Sequence, residues 1–165
     1  MKNDTTYSSE KKASRSTHTG PLRFCWKNPA RTAQLTIASA ESPRDGKADF
    51  WCGGSADEAV INAALAALPE GGEAILLPGV YRLDSRIVLR RRATTLRGER
   101  GSVLVREFYD YPGEHGMVAL LAEHCGVHNL RLEGLWQGAA TGYETDQCAL
   151  AVYAGGASVC GVDIC

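Results

Sequence analysis

Two segments of the chain combine carboxylates with aromatic rings. Residues 107–115 read Glu-Phe-Tyr-Asp-Tyr-Pro-Gly-Glu-His, with three carboxylates, three aromatics and a histidine. Residues 134–146 carry Trp136, Tyr143, Glu144 and Asp146 among small and polar neighbours. An aromatic face stacks on a sugar ring, and two carboxylates at fixed separation serve as acid and base in glycoside cleavage. Asp110, Glu114, Glu144 and Asp146 are therefore the candidate catalytic carboxylates. Tyr109, Trp136 and Tyr143 are candidate substrate contacts. The same carboxylates suit Ca²⁺, which takes several oxygen ligands, although neither segment has the spacing of a calcium-binding loop. Both segments also read as plain insertions whose aromatics tuck onto the body of the protein.

A cationic stretch precedes them. Residues 82–106 hold eight arginines against Asp84 and Glu99, while residues 107–165 hold only Arg131 against eight acids. Arg90, Arg91 and Arg92 are the densest part and the candidate ligands for an anionic substrate, because the guanidinium fork binds a carboxylate through two bonds. The competing reading is a solvated outer face. The net charge of the whole chain is −1 and no recognition motif accompanies the arginines, so nucleic acid is not the expected partner. His124, Cys125, His128 and Cys160 invite a zinc reading, but strand alternation sends Cys125 away from the others and four ligands do not converge. No phosphate-binding glycine loop and no Ser-His-Asp spacing occurs. No metal and no cofactor are expected.

The six cysteines, at 25, 52, 125, 148, 160 and 165, contain no Cys-x-x-Cys. The chain has 165 residues and its polar first twenty lack an apolar core of the kind a secretory leader carries, so a disulfide framework is not indicated. Reduced, mostly buried thiols are expected. No run of 18 apolar residues is present, so no membrane span is expected. Hydrophobic residues at 44% and charged residues at 22% exclude a wholly disordered chain.

These side chains must be positioned by short elements. Residues 1–33 read as a polar, disordered tail, with 34–165 as the folded unit. Gln34–Ala38 reads as a short strand, and residues 41–47 as a turn-rich loop. Ser55-Ala56-Asp57-Glu58 has the pattern of a capping box, in which Ser55 and Glu58 satisfy each other's backbone amides. Loss of such a cap costs about 0.5–2 kcal/mol. Val60, Ile61, Ala64, Leu65 and Leu68 then form one apolar stripe, which predicts a helix over 56–68, stopped by Pro69 and Gly71-Gly72. Beyond Gly72 the period shortens to two, and nine short strand segments follow, at 73–77, 80–83, 87–89, 94–97, 102–105, 117–121, 127–133, 149–153 and 159–164.

The strands repeat. Val127-His-Asn-Leu-Arg-Leu132 matches Val159-Cys-Gly-Val-Asp-Ile164 at an offset of 32. Ala93–Gly98 matches Asn129–Gly134 more loosely, at an offset of 36. Such repeats are the signature of a solenoid. The first offset sets Arg131 beside Asp163, with Asn129 and Gly161 at corners that need left-handed backbone. The second sets Arg97 beside Glu133.

The stretch ADFWCGGSADEAVINAALAALPEGGEAILLPGVYRL resembles the N-terminal cap of right-handed parallel β-helix proteins of the pectate-lyase-like superfamily. The features are the short helix, Gly71-Gly72, and the strand ending in Pro78-Gly79-Val80-Tyr81. Ile87–Leu89 and Thr95–Glu99 resemble the next turn. The resemblance implies an all-β fold, a parallel β-helix behind an amphipathic capping helix. It further implies a protein that contacts polysaccharide, of the phage-tail or surface type, in a fragment lacking a complete active site. The alternative is a carbohydrate-active enzyme, a lyase, hydrolase or epimerase, acting on an acidic polysaccharide; whether the chain is catalytic stays open. Partners would be polysaccharide and a second copy through an uncapped C-terminal coil, with an extracellular or virion-associated location.

Overall fold

The computed structural model describes residues 33–109, 115–134 and 148–165. The tail expected over residues 1–33 lies almost wholly outside them.

Among the described residues, one helix and thirteen short strands make up the fold. They run β1 (Gln34–Ala38), β2 (Phe50–Trp51), α1 (Asp57–Ala67), β3 (Glu73–Leu76), β4 (Gly79–Leu83), β5 (Ile87–Leu89), β6 (Thr95–Gly98), β7 (Ser102–Arg106), β8 (Val118–Leu120), β9 (Gly126–His128), β10 (Arg131–Gly134), β11 (Leu150–Val152), β12 (Ser158–Cys160) and β13 (Asp163–Ile164). From β3 onward the chain visits three sheets in fixed rotation. The first sheet has the order β12-β9-β6-β3-β1-β2, the second β13-β10-β7-β4 and the third β11-β8-β5. Pairing is parallel throughout. Glu73 pairs with Thr95, Thr95 with Gly126 and Gly126 with Ser158, so the first circuit is the shortest and the next two are nearly equal.

Period-two alternation decides which side chains enter the core. Ala74, Leu96 and Val127 form one inward column, and Tyr81, Leu104 and Leu132 another. Ile87 with Val118, and Leu89 with Leu120, form two more in the third sheet. All ten are fully buried. Each such burial is worth about 1.5–3 kcal/mol for the larger side chains, which makes the columns the main source of stability. The Tyr81 hydroxyl, carried into the core by its ring, is shared between the carbonyls of Ile37 and Leu77, at 2.8 and 2.7 Å.

The offset of 32 is the true repeat: Val127 pairs with Val159 and Arg131 with Asp163. Asn129 and Gly161 take φ of 54° and 63° at the corner. Gly161 has a second reason to be glycine, since a Cβ there would lie 2.5 Å from Asn129 Oδ1. The offset of 36 is wrong. Its two members, β6 and β10, belong to different sheets, so Arg97 faces Glu73 and His128 and not Glu133. Glu133 instead holds Arg131 at 2.7 Å. The loose match arises because strands of every sheet share one alternation. Close packing along the stack also explains Gly98, where a Cβ would meet Leu130 Cδ2 at 2.5 Å and the Asn129 carbonyl at 2.6 Å. Gly98→Ala is expected to cost about 1–3 kcal/mol in a urea melt, the usual penalty of overpacking.

Helix α1 lies where expected, with Ile61, Ala64, Leu65 and Leu68 buried. Its capping box does not form. Ala56 is the N-cap, in left-handed backbone with φ 49°, and no side chain caps it. Ser55 is exposed. The acids work elsewhere: Asp57 accepts from the Gly54 and Arg82 amides at 2.8 and 2.9 Å, and Glu58 from the Asp84 amide at 3.0 Å. Asn62 accepts from the Val88 amide at 2.9 Å and donates to the Arg86 carbonyl at 3.0 Å. β4 and β5 are edge strands, and an edge strand presents unpaired amides and carbonyls. The helix satisfies these from three side chains, while β1 and β2 continue the first sheet past β3.

Candidate functional site

The described ends of both acid-and-aromatic segments meet the sheets at one corner. In the first circuit residues 84–86 join the second sheet to the third. In the next circuit the same connection is 107–117, and in the one after it is 135–149. The two insertions are therefore neighbours, one strand spacing of about 4.8 Å apart at their roots.

Arg106, at the end of β7, ties the roots together. It is 7% exposed. Its Nε donates to the Phe108 carbonyl at 2.8 Å and its Nη1 to the Cys148 carbonyl at 3.1 Å. Its guanidinium also sits over the Phe108 ring, 4.5 Å from the centroid. Phe108 starts the first insertion and Cys148 ends the second. The Cys148 carbonyl also accepts from the Met117 amide at 3.1 Å. Beside this anchor Glu107 pairs with Arg82 at 2.7 Å, and the Tyr153 hydroxyl accepts from the His115 amide at 3.3 Å. A buried guanidinium must be fully hydrogen-bonded, which is why carbonyls from both insertions converge on it.

Of the candidate residues, Tyr109 stands at this corner, 46% exposed. Asp110, Glu114, Trp136, Tyr143, Glu144 and Asp146 lie outside the described residues. Arg90, Arg91 and Arg92 join β5 to β6 and are exposed. They occupy the opposite margin of the third sheet from Tyr109, with strands of three residues, about 10 Å, between. The outward side chains of those strands are Val88, Ala119 and Ala151, of which Ala119 is fully buried and the other two are half-buried. Arg92 pairs with Glu123 at 3.5 Å, and the Arg91 carbonyl accepts from Thr94 Oγ1 at 2.7 Å and Cys125 Sγ at 3.1 Å. The arginine stretch, continuous in sequence, is thus spread around the circumference: Arg82 at the second sheet, Arg90–Arg92 beside the third, Arg97 on the first, and Arg106 inside.

A polar row on the outer face of the first sheet escapes sequence reading. Gln34 Nε2 donates to Glu73 Oε2 at 2.8 Å, Arg97 Nε to Glu73 Oε1 at 3.3 Å, and His128 Nε2 lies 2.9 Å from Ser158 Oγ. These residues share alternating positions on β1, β3, β6, β9 and β12, a pattern visible only once circuits of unequal length are aligned. His128 and Cys160 are neighbours in that register, whereas the Cys125 thiol turns to the Arg91 carbonyl.

The five described cysteines divide evenly rather than being mostly buried. Cys52 and Cys125 are buried, Cys148 is half-buried, and Cys160 and Cys165 are exposed. Burial pushes the Cys52 thiol up to about 12, with Asp57 and Glu58 adding to it. Burial likewise raises the Tyr81 phenol, with Cys52 and Asp57 adding. At pH 8, iodoacetamide is expected to modify Cys160 and Cys165 in the native protein, and Cys52 only in denaturant. A raised folded pKa contributes stability that is full below the unfolded value and lost as pH rises. From 9.0 to about 12 the unfolded Cys52 thiol ionises and the folded one does not. Stability should therefore fall through that window by up to about 1.4 kcal/mol per pH unit, with a shallower slope in Cys52→Ala.

The chain matches no protein-family model, no curated protein and no solved structure. Among the described residues no helix is long and apolar enough to cross a membrane.

Proposed function

We propose that the chain is a right-handed parallel β-helix protein of the pectate-lyase-like type that contacts an acidic polysaccharide beside its third sheet. One observation carries the reading. The two segments whose composition suits sugar rings leave the same corner on successive circuits and are tied by one buried arginine. Arg90, Arg91 and Arg92 on the far margin of the sheet supply cations for uronate carboxylates. The glycan runs beside the third sheet, from the exposed arginine margin to the exposed Tyr109 at the aromatic one.

The test is equilibrium binding of a polyuronate and of a neutral polysaccharide at low and high salt. The polyuronate is expected to bind more tightly and to weaken as salt screens the arginines over roughly 8–10 Å. Tyr109→Ala, or Arg90 and Arg92 together changed to Gln, should reduce binding. Salt-independent binding that tolerates these changes would remove the reading.

A second reading, cleavage of the polysaccharide, rests on the neighbouring roots of the two carboxylate-bearing insertions. Retaining glycosidases hold their carboxyl groups about 5–5.5 Å apart, close to the separation of adjacent strands. Release of reducing ends or unsaturated products, abolished in Asp110→Asn or Glu144→Gln, would establish it. Self-association belongs with either reading. Val152, Tyr153, Val159 and Ile164 are 51%, 52%, 49% and 62% exposed on β11 to β13 and the residues beside them, and sedimentation would report a second copy seated there.

A further inference from the structure

The corner between the first and second sheets is uneven. Three residues, Glu99, Arg100 and Gly101, join β6 to β7, whereas two residues suffice between β9 and β10, and again between β12 and β13. At this corner lies an open groove of about 710 Å³, lined by Arg97, Arg100, Arg131, Ser102, Asn129 and Asp163 together with Glu99 and glycine backbone.

The cations in this groove are prepared for a ligand. Arg97 and Arg131 are each held through Nε, by Glu73 at 3.3 Å and Glu133 at 2.7 Å. Those contacts engage the Nε side of each guanidinium, so the Nη atoms are the groups a ligand would meet. Arg100, at the lip, makes no ion pair among the described residues. A carboxylate fits the Nη edge of a guanidinium through two parallel bonds. Yet the groove is no plain anion trap, because Glu99 and Asp163 also line it. Those two, with Asn129, are acceptors suited to hydroxyl groups, whereas the buried Ser102 hydroxyl is spent on the Leu76 and Leu77 carbonyls. Carboxylate and hydroxyls on one small unit describe a sugar acid.

We propose that this groove binds a hexuronate unit, its carboxylate on the Nη groups of Arg131 and Arg100 and its hydroxyls on Asp163, Asn129 and Glu99. The inference rests on the reading that the chain contacts an acidic polysaccharide. It adds a subsite separated from the insertions by the whole width of the second sheet.

Arg97 is a poor place to test it, since its loss strips a partner from Glu73, whose side chain is 1% exposed. Arg131 is 52% exposed and Arg100 is also exposed, so Arg100→Gln and Arg131→Gln should fold, with unchanged melts as the control. Binding of an oligogalacturonate and of its methyl ester would be measured by calorimetry for wild type, both variants and Tyr109→Ala. Each arginine change is expected to weaken the acid by about two- to fivefold, the range for partly exposed charged contacts, and to leave the ester unchanged. Wild-type affinity in both arginine variants overturns the groove. If Tyr109→Ala alone then weakens binding, contact at the third sheet stands and only the groove falls. Equal binding of acid and ester by wild type overturns the carboxylate assignment, and no binding of either overturns both readings.

Discussion

Asp57→Ala is expected to lower stability by about 3–5 kcal/mol, while Ser55→Ala, two residues earlier, changes it by less than about 0.5 kcal/mol. The capping-box pattern instead places a cost of about 0.5–2 kcal/mol on Ser55. Asp57 is fully buried and its two carboxylate oxygens accept from Gly54 and Arg82, so removal leaves two part-buried amides without their partner. A hydrogen bond to a charged group is worth about 1.5–3 kcal/mol, and an abandoned buried donor costs a similar amount. Asp57→Asn should fall between, because its amide keeps one acceptor oxygen and presents a donor where the second acceptor stood. Urea melts of the three variants decide the matter. A near-neutral Asp57→Ala beside a costly Ser55→Ala would mean that the helix is capped locally and does not hold the edges of β4 and β5.

That reversal marks where reading the sequence stops. Local chemistry locates α1 within a residue at each end, because an apolar stripe and a Pro-Gly stop are properties of neighbours along the chain. It also locates β5 and β1 residue for residue. Which backbone amides Asp57 and Glu58 meet depends on Arg82 and Asp84, far along the chain and brought alongside by the first circuit. β2 is missed for a related reason. Phe50-Trp51 is too short to show a period, and it is a strand only because β1 offers it an edge.

Register is legible where circuits are of nearly equal length. The circuits before and after β9 differ by a single position, so the match of 127–132 to 159–164 is correct. The first circuit lacks an insertion, and there pattern matching pairs β6 with β10 across sheets. The candidate site is legible as composition and not as position. Aromatics and carboxylates identify the insertions, but only the sheet rotation shows that they share a corner. The arginines give the opposite error. Eight in one stretch suggest one patch, but the chain passes through all three sheets between Glu73 and Thr95, so any such stretch is spread around the whole circumference.

Arg106→Met should loosen both insertions at once, at a cost of about 2–4 kcal/mol. Methionine keeps most of the unbranched stem and removes only the guanidinium, so packing is nearly preserved while the carbonyls of Phe108 and Cys148 lose their common donor. Arg106→Lys is expected to recover part of the loss, since one ammonium lacks the spread of a guanidinium and engages one carbonyl well. Limited proteolysis separates this from general destabilisation. Cleavage should accelerate within 107–117 and 135–149 under conditions where the melt still shows a folded protein, and the corner between the first and second sheets should stay protected. On the proposed reading, polyuronate binding should weaken in the same variant, because Tyr109 stands beside the anchor that is lost. Cleavage that rises in only one insertion would show that the two are held separately, and with that the shared corner would lose its bearing on function.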